Sequence, residues 1–353
     1  MFERDKAGEQ SLDLQIGGKA IRLITKTSDV YLLYLVKKYL GTYCVATNKT
    51  ACNIKIIPFA YVYKHPWATD ELERFRRFFL EVHGRYPSDI QPDRIGLSLR
   101  LLQYMDPGDK SIQHICQMIH GQKLTYARVG MDLFFFNTES KTAYLFVGET
   151  FRRLPLIKWI MKIFDMGQST IRTGILNGIM FVLSHLLIYD QGLLLHGSAL
   201  QKDGHGFLFL GLSGAGKSTI TQLVGPDVCF SDDGVVVKKE MDTVFVYHSP
   251  FKQTKGFGKE RDMVKTKIQK AFLLEKADQN RALPLKKSEL MDSILKHMIH
   301  FYKFMDRDTA QKGFYIVKDI VESLPVYKLQ FSKRQDIWNN AILSSGSEVN
   351  HAG

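Results

Sequence analysis

The stretch GFLFLGLSGAGKST, residues 206–219, limits what this chain can fold into more than any other. A short apolar strand that runs directly into Gly-x-x-x-x-Gly-Lys-Ser needs a sharp loop followed at once by a helix. Glycines at 211, 214 and 216 allow the backbone to turn tightly and approach a ligand closely. Successive N–H groups from Gly211 through Ser213, Gly214, Ala215, Gly216, Lys217, Ser218 and Thr219 would wrap a β-phosphate, and the helix start adds partial positive charge. Lys217 would neutralise the β- and γ-phosphates, and the Ser218 hydroxyl would coordinate Mg²⁺. ATP and Mg²⁺ are therefore the expected ligands, against the bland alternative of a structural glycine turn.

The loop says that phosphate is held, not where it goes. Two neighbouring pieces of sequence bear on that. Asp232 and Asp233 follow the apolar VCF fifteen residues beyond Lys217. One carboxylate after a strand holds Mg²⁺; a second one beside it can take the proton of an incoming hydroxyl. Strand side chains alternate between faces, so both carboxylates reach one site only where the strand ends or bends, and Gly234 suits a bend. A capped turn with two solvated aspartates is the alternative. His196, in LLLHGSAL, comes fifteen residues before Gly211 at the expected end of the neighbouring strand. It is either a satisfied core residue or a group that orients Asp233 or bonds a phosphate.

The rest of the chain supplies the scaffold. The 353 residues suffice for two domains, with 45% hydrophobic and 24% charged residues giving a sizeable core. The first 120 residues mix alternating patches such as AIRLITKT with a helix-like run, TDELERFRRFFLEVHGRY, and PGDKS near Pro107 is turn chemistry. From Tyr126, YARVGMDLFFF and TAYLFVG flank NTESK as a hairpin. A helix over about 168–189 precedes the strand GLLLHGSALQ and the tight turn KDGHG. The last hundred residues are expected to be mainly helical, with one continuous helix over SELMDSILKHMIHFYKFM, a late strand VYKLQF and a closing helix SKRQDIWNNAI. His297 and His300 on that long helix have no third ligand for a metal.

Charge and cysteines bound the partners. The net charge is +12, and after Phe251 19 Lys/Arg face 12 Asp/Glu. This favours an anionic partner or is simply a solvated face. No aromatic-interleaved basic motif accompanies it, so nucleic acid is not expected. Cys44, Cys52, Cys116 and Cys229 form no Cys-x-x-Cys pair and read as reduced thiols of a cytoplasmic protein. MFERDKAGEQSLDL has no apolar signal-peptide core. ILNGIMFVLSHLLIYDQGLLL, over 175–195, is broken by polar residues and reads as a buried helix and strand rather than a membrane span.

His-Gly at the end of a strand, Gly-x-Ser-Gly-x-Gly-Lys-Ser fifteen residues on and then Asp-Asp together resemble the HPr kinase/phosphorylase superfamily, which shares a nucleotide-binding core with ATP-dependent phosphoenolpyruvate carboxykinases. The resemblance covers roughly 126–342, including YKLQFSKRQDIWNNAI. It implies an α/β fold, an HPr-kinase-like P-loop core with a mixed sheet and flanking helices over 123–345. The first 120 residues gain little from it and read by themselves as a small accessory or substrate-recognition α+β domain over 1–122, and 346–353 as a tail. By position the resemblance implies Lys217 and Ser218 on ATP and Mg²⁺, Asp232 on the metal, Asp233 as base and His196 supporting it. The second Gly-rich motif of HPr kinases is replaced by HSPFKQTKGFGKERD. There Lys252, Lys255 and Arg261 either clamp phosphate or form an exposed loop.

The implied activity is a kinase for a peptide or protein serine, like those of peptide-modification systems that phosphorylate a lasso-peptide precursor. A small-metabolite kinase and a nucleotide-binding regulatory protein stay open. No membrane partner is expected, and the resemblance allows a homo-oligomer. An ABC-type ATPase is excluded because no LSGGQ-like segment occurs. A GTPase switch is excluded because Asn-Lys-x-Asp is missing.

Overall fold

The computed structural model describes residues 3–4, 9–26, 31–47, 49–60, 124–129, 132–149, 166–225, 227–251, 265–302, 305, 307–332 and 337–343. The expected helix over TDELERFRRFFLEVHGRY, the PGDKS turn, the 122/123 boundary, Cys116 and the tail lie outside them. The fold is mixed α/β, with two mixed sheets and few helices. The chain divides into two compact units, one of residues 1–13, 21–41 and 50–179, the other of residues 14–20, 42–49 and 180–353.

The first sheet contains β1 (Glu3–Arg4), β2 (Glu9–Ile16), β3 (Lys19–Lys26), β4 (Cys52–Ala60), β5 (Leu124–Val129), β6 (Asp132–Asn137) and β7 (Thr142–Glu149), in the order β1-β2-β3-β4-β7-β6-β5. Helix α1 (Tyr31–Leu40) links β3 to the parallel strand β4. The expected hairpin is β6–β7. Its turn closes because Asn137 Oδ1 accepts the N–H groups of Glu139 and Ser140, both at 2.9 Å.

The second sheet carries the phosphate loop. Helix α2 (Met166–Ile188) leads into β8 (Gly192–Lys202), and β9 (His205–Leu210) returns antiparallel beside it. The turn between them places Asp203 and Gly204 at φ 52° and 77°, the left-handed pair a tight hairpin needs. Beyond the loop come α3 (Lys217–Val224), β10 (Val228–Ser231), β11 (Gly234–Glu240), β12 (Thr243–Tyr247), β13 (Lys265–Lys276) and β14 (Arg281–Pro284). Helix α4 (Lys287–Ser293), a π-helical turn at 294–298, helix α5 (Arg307–Glu322) and β15 (Val326–Phe331) complete it, before a last π-helical turn over 338–343. Pairings run β8–β11–β12–β13–β9 and back to β8, so the sheet closes a ring of five strands.

GFLFLG is apolar throughout because both its faces are covered. Leu208 and Leu210 join a core with Leu193, Leu195, Val235, Val237 and the buried stripe Ile316, Val317, Ile320 and Val321 of α5. Phe207 and Phe209 enter a second core with Ile220 of α3, Phe272, Leu329, Phe331 and Ile342. Among the described residues no helix is long and apolar enough to cross a membrane; the segment 175–195 is a buried helix and a buried strand.

Three expectations are corrected. The C-terminal hundred residues are not mainly helical, since KTKIQKAFLLEK is the twelve-residue strand β13, held parallel between β9 and β15. Lys265, Lys267 and Lys276 sit at exposed positions and Lys270 is half-buried, while Ile268, Ala271 and Phe272 are buried, a pattern set by the neighbouring strands rather than by local propensity. The helix over SELMDSILKHMIHFYKFM is not continuous: Ile299 bridges to Leu195 of β8, and the edge of that strand captures the chain. His196 is not at a strand end, because β8 continues to Lys202.

Candidate functional site

Strand β9 delivers Gly211 into the loop, and α3 begins at Lys217. Gly214 and Gly216 have φ of 79° and 102°. The Ala215 N–H donates to the Leu212 carbonyl at 3.0 Å, and the Ile220 N–H to the Gly216 carbonyl at 2.8 Å. A Cβ on Gly216 would lie 2.4 Å from Phe331 Cζ, so both the dihedral and the space require glycine. Gly216→Ala is expected to cost about 1–3 kcal/mol of stability. An unchanged urea midpoint would contradict this reading.

Lys217 turns back across the loop. Its Nζ donates to the carbonyls of Gly211 and Leu212, both at 3.0 Å. Burial pushes its ammonium below the usual lysine range, and the charge of Asp233 opposes that shift. The hydroxyls of Ser198 and Thr221 donate to the Lys217 carbonyl at 3.5 and 3.0 Å. Ser213 and Gly214 are exposed, while Ala215, Ser218 and Thr219 are half-buried on the rim of the helix start.

The aspartates occupy the corner between β10 and β11. A bulge in β10, where Cys229 pairs Leu200 but Ser231 pairs Ala199, inserts the extra residue Phe230 just before them. Ser231 Oγ donates to the Phe251 carbonyl at 2.7 Å and accepts the Asp233 N–H at 3.3 Å. The Gly234 N–H donates to the Phe251 carbonyl at 3.2 Å, and Ser249 Oγ donates to the Gly234 carbonyl at 2.5 Å. A Cβ on Gly234 would meet Phe251 Cβ at 2.7 Å. The two carboxylates therefore leave a bend rather than a regular strand, and they differ: Asp232 is 2% exposed, the Asp233 side chain 26%.

Strand β8 brings these pieces together. Residues 192–196 pair with β11 and residues 199–201 with β10, while residues 197–202 pair with β9 on the opposite edge, so β8 passes from β11 to β10 beside the aspartates. His196 sits opposite Gly234, and its Nδ1 lies 3.0 Å from Asp233 Oδ1. The Gly197 N–H donates to the Asp233 carbonyl at 3.0 Å. His300 enters from the far end of the chain: its N–H donates to the Leu194 carbonyl at 3.0 Å. Its ring centroid lies 5.6 Å from that of His196, at 89°. Burial pushes the His300 imidazole down to about 4, helped by the positive charges of His196 and Lys217 and opposed by Asp233.

With that geometry established, the family described as "SynChlorMet cassette protein ScmC" matches residues 162–341, just over half of the 353. The chain belongs to the ScmC family. No curated protein matches it. The span matched by ScmC begins just before α2 and holds the whole phosphate loop, both aspartates, His196 and His300.

Of the residues singled out in the sequence, Lys217, Asp233 and His196 are joined by a hydrogen-bond-length contact or a charge interaction. Gly211, Ser213, Gly214, Ala215, Gly216, Ser218 and Thr219 form the loop and helix start beside them. Lys252, Lys255 and Arg261 lie outside the described residues. His297 has no described side chain, and His300 stands beside His196 rather than in a metal pair. His300 was missed as a site residue because helical spacing was the wrong frame for it. The usable signal was the break at Ile299, a β-branched residue at the point where the helix stops.

Among the described residues no group of three or more His, Cys, Asp or Glu could hold a metal. An ion that arrives with a nucleotide needs less: Mg²⁺ is commonly held through one or two protein oxygens, with phosphates and water completing its octahedron. The buried Asp232 carboxylate and the Ser218 hydroxyl on the first turn of α3 are donors of that kind.

Proposed function

We propose that the chain is an ATP-dependent kinase with an HPr-kinase-like P-loop core, which transfers the γ-phosphoryl group to the hydroxyl of a serine in a peptide or protein. The observation that carries this reading is the 3.0 Å contact of His196 with Asp233, in a charge environment shared with the loop lysine Lys217. A nucleotide-binding switch has no use for a second, more exposed carboxylate held by an imidazole. A transferase does, because a hydroxyl must lose its proton as it attacks.

In this mechanism Lys217 and the loop N–H groups bind the phosphates, with Asp232 and Ser218 as the residues that would hold Mg²⁺. Bound there, Mg²⁺ neutralises charge on the transferred group. Asp233 faces the acceptor and takes its hydroxyl proton as the new O–P bond forms. The bond from the γ-phosphorus to its bridging oxygen breaks, and ADP leaves with that electron pair. His196 keeps the Asp233 carboxylate oriented. Positioning and charge neutralisation supply most of the acceleration. The chain's net charge of +12 suits an acidic acceptor peptide.

Incubating the full chain with Mg²⁺, ATP and the small peptides encoded beside its gene tests the reading. The expected result is a mass gain of about 80 Da on a serine, the weight of one phosphoryl group. ATP consumption that phosphorylates a small hydroxylated metabolite and no peptide would move the acceptor class. No nucleotide binding at all would end the proposal.

A further inference from the structure

Residues 42–49 come early in the chain, between α1 and β4, yet they belong to the unit that carries the phosphate loop. Within this piece, the Tyr43 hydroxyl lies 2.7 Å from His248 Nδ1, a hydrogen bond. The two rings also stack, with centroids 5.4 Å apart and planes 8° from parallel. The His248 ring in turn stands edge-on to Phe230, with centroids 6.2 Å apart at 70°. Phe230 is the residue that the β10 bulge inserts before the aspartates.

His248 opens the segment 248–251, which grips the aspartate corner at both ends. The Ser249 N–H donates to the Phe230 carbonyl at 3.2 Å, and Ser249 Oγ donates to the Gly234 carbonyl at 2.5 Å. The Phe251 carbonyl accepts the Gly234 N–H at 3.2 Å and the Ser231 hydroxyl at 2.7 Å. Asp232 and Asp233 lie between these anchors. A shift of His248 is therefore passed through Ser249 to the residues on either side of the two carboxylates.

Stability alone does not call for this pair. Both residues are half-buried, so water can replace their hydrogen bond at small net cost. Stacked rings attract over a range of centroid separations. The bond between the hydroxyl and Nδ1 selects one arrangement and so fixes where the segment begins. Resting on the kinase reading, we propose that Tyr43 is a positioning residue for phosphoryl transfer. Acting through His248 and Ser249, it holds the 230–234 corner where the Asp233 carboxylate meets both His196 and the acceptor hydroxyl.

Phenylalanine at either position keeps a ring for the stack and removes the hydrogen bond. In the full-length chain, Tyr43→Phe and His248→Phe are each expected to lower kcat about 10-fold, less than the roughly 100-fold that a 1 Å misplacement of a reacting group costs. KM for ATP should not change, because the loop and Lys217 hold the nucleotide in every variant. The double variant should be no slower than either single one, since both substitutions remove the same bond. Melting temperatures of the single variants should stay close to that of wild type. Wild-type kcat in Tyr43→Phe would overturn the proposal, as would a double variant whose loss is the product of the two single losses.

Amide hydrogen exchange gives a second readout that needs no turnover. In Tyr43→Phe the N–H groups of Ser249 and Gly234 should exchange faster than in wild type. That of Ile220, bonded to Gly216 at the start of α3, should not change. Equal exchange at all three amides in the two proteins would overturn the proposal. If the wild type transfers no phosphate, the kinase reading fails, and the exchange rates still decide whether Tyr43 holds the corner.

Discussion

Asp233→Asn is expected to lower phosphoryl transfer by about 10²–10⁴-fold, the range for loss of a general base, while ATP binding persists. The amide is nearly isosteric with the carboxylate, so the corner held by Ser231, Ser249 and Phe251 should survive. Its oxygen can still face the His196 ring, but it cannot take a proton from an incoming hydroxyl. Binding should persist because the groups that meet the phosphates are elsewhere, in the loop and Lys217. Single-turnover transfer and equilibrium titration with a fluorescent ATP analogue separate the two effects. Transfer at the wild-type rate would remove Asp233 as the base. Loss of binding together with rate would instead place its carboxylate among the groups that hold the nucleotide.

Lys217→Ala is expected to abolish measurable ATP turnover and to weaken nucleotide binding at the same time. Removing one preorganised charge from a phosphate-transfer site typically costs about 10²–10³-fold in rate, and here the same side chain also spans the loop. The effect on folding should be small, because two opposing contributions are removed together. The variant loses two hydrogen bonds to loop carbonyls, and it also loses a buried ammonium that burial already disfavours. A thermal melt close to that of wild type, beside absent turnover, is the expected pair of results. Turnover near wild type would mean that the loop is a structural turn.

How much of this was readable beforehand depends on how local each feature is. The loop was legible because Gly214 and Gly216 sit in a short contiguous pattern whose φ values exclude other residues. The turns at Asp203-Gly204 and after Asn137 were legible for the same reason. The bend at the aspartates was half legible: Gly234 marked it, while the bulge at Phe230 that sets up the corner left no trace in the sequence. Strand β13 was misread because its lysines and its apolar residues alternate only loosely. Its identity comes from two parallel neighbours, one of which lies far along the chain.

By itself, then, the sequence determined the parts whose conformation is governed by residues a few positions apart. These are an apolar strand, a glycine loop with its lysine, and an acidic pair before a glycine. The tertiary structure alone decided which distant groups meet them. His196 reaches Asp233 because β8 pairs it with Gly234 of β11 and ties the Asp233 carbonyl to the Gly197 N–H. His300 joins them because a strand edge left open beyond Leu210 captures Ile299 and ends a helix that local periodicity would have continued. Hydrogen-bonding groups on an unfilled strand edge must be satisfied, and what satisfies them comes from wherever the fold brings the chain back.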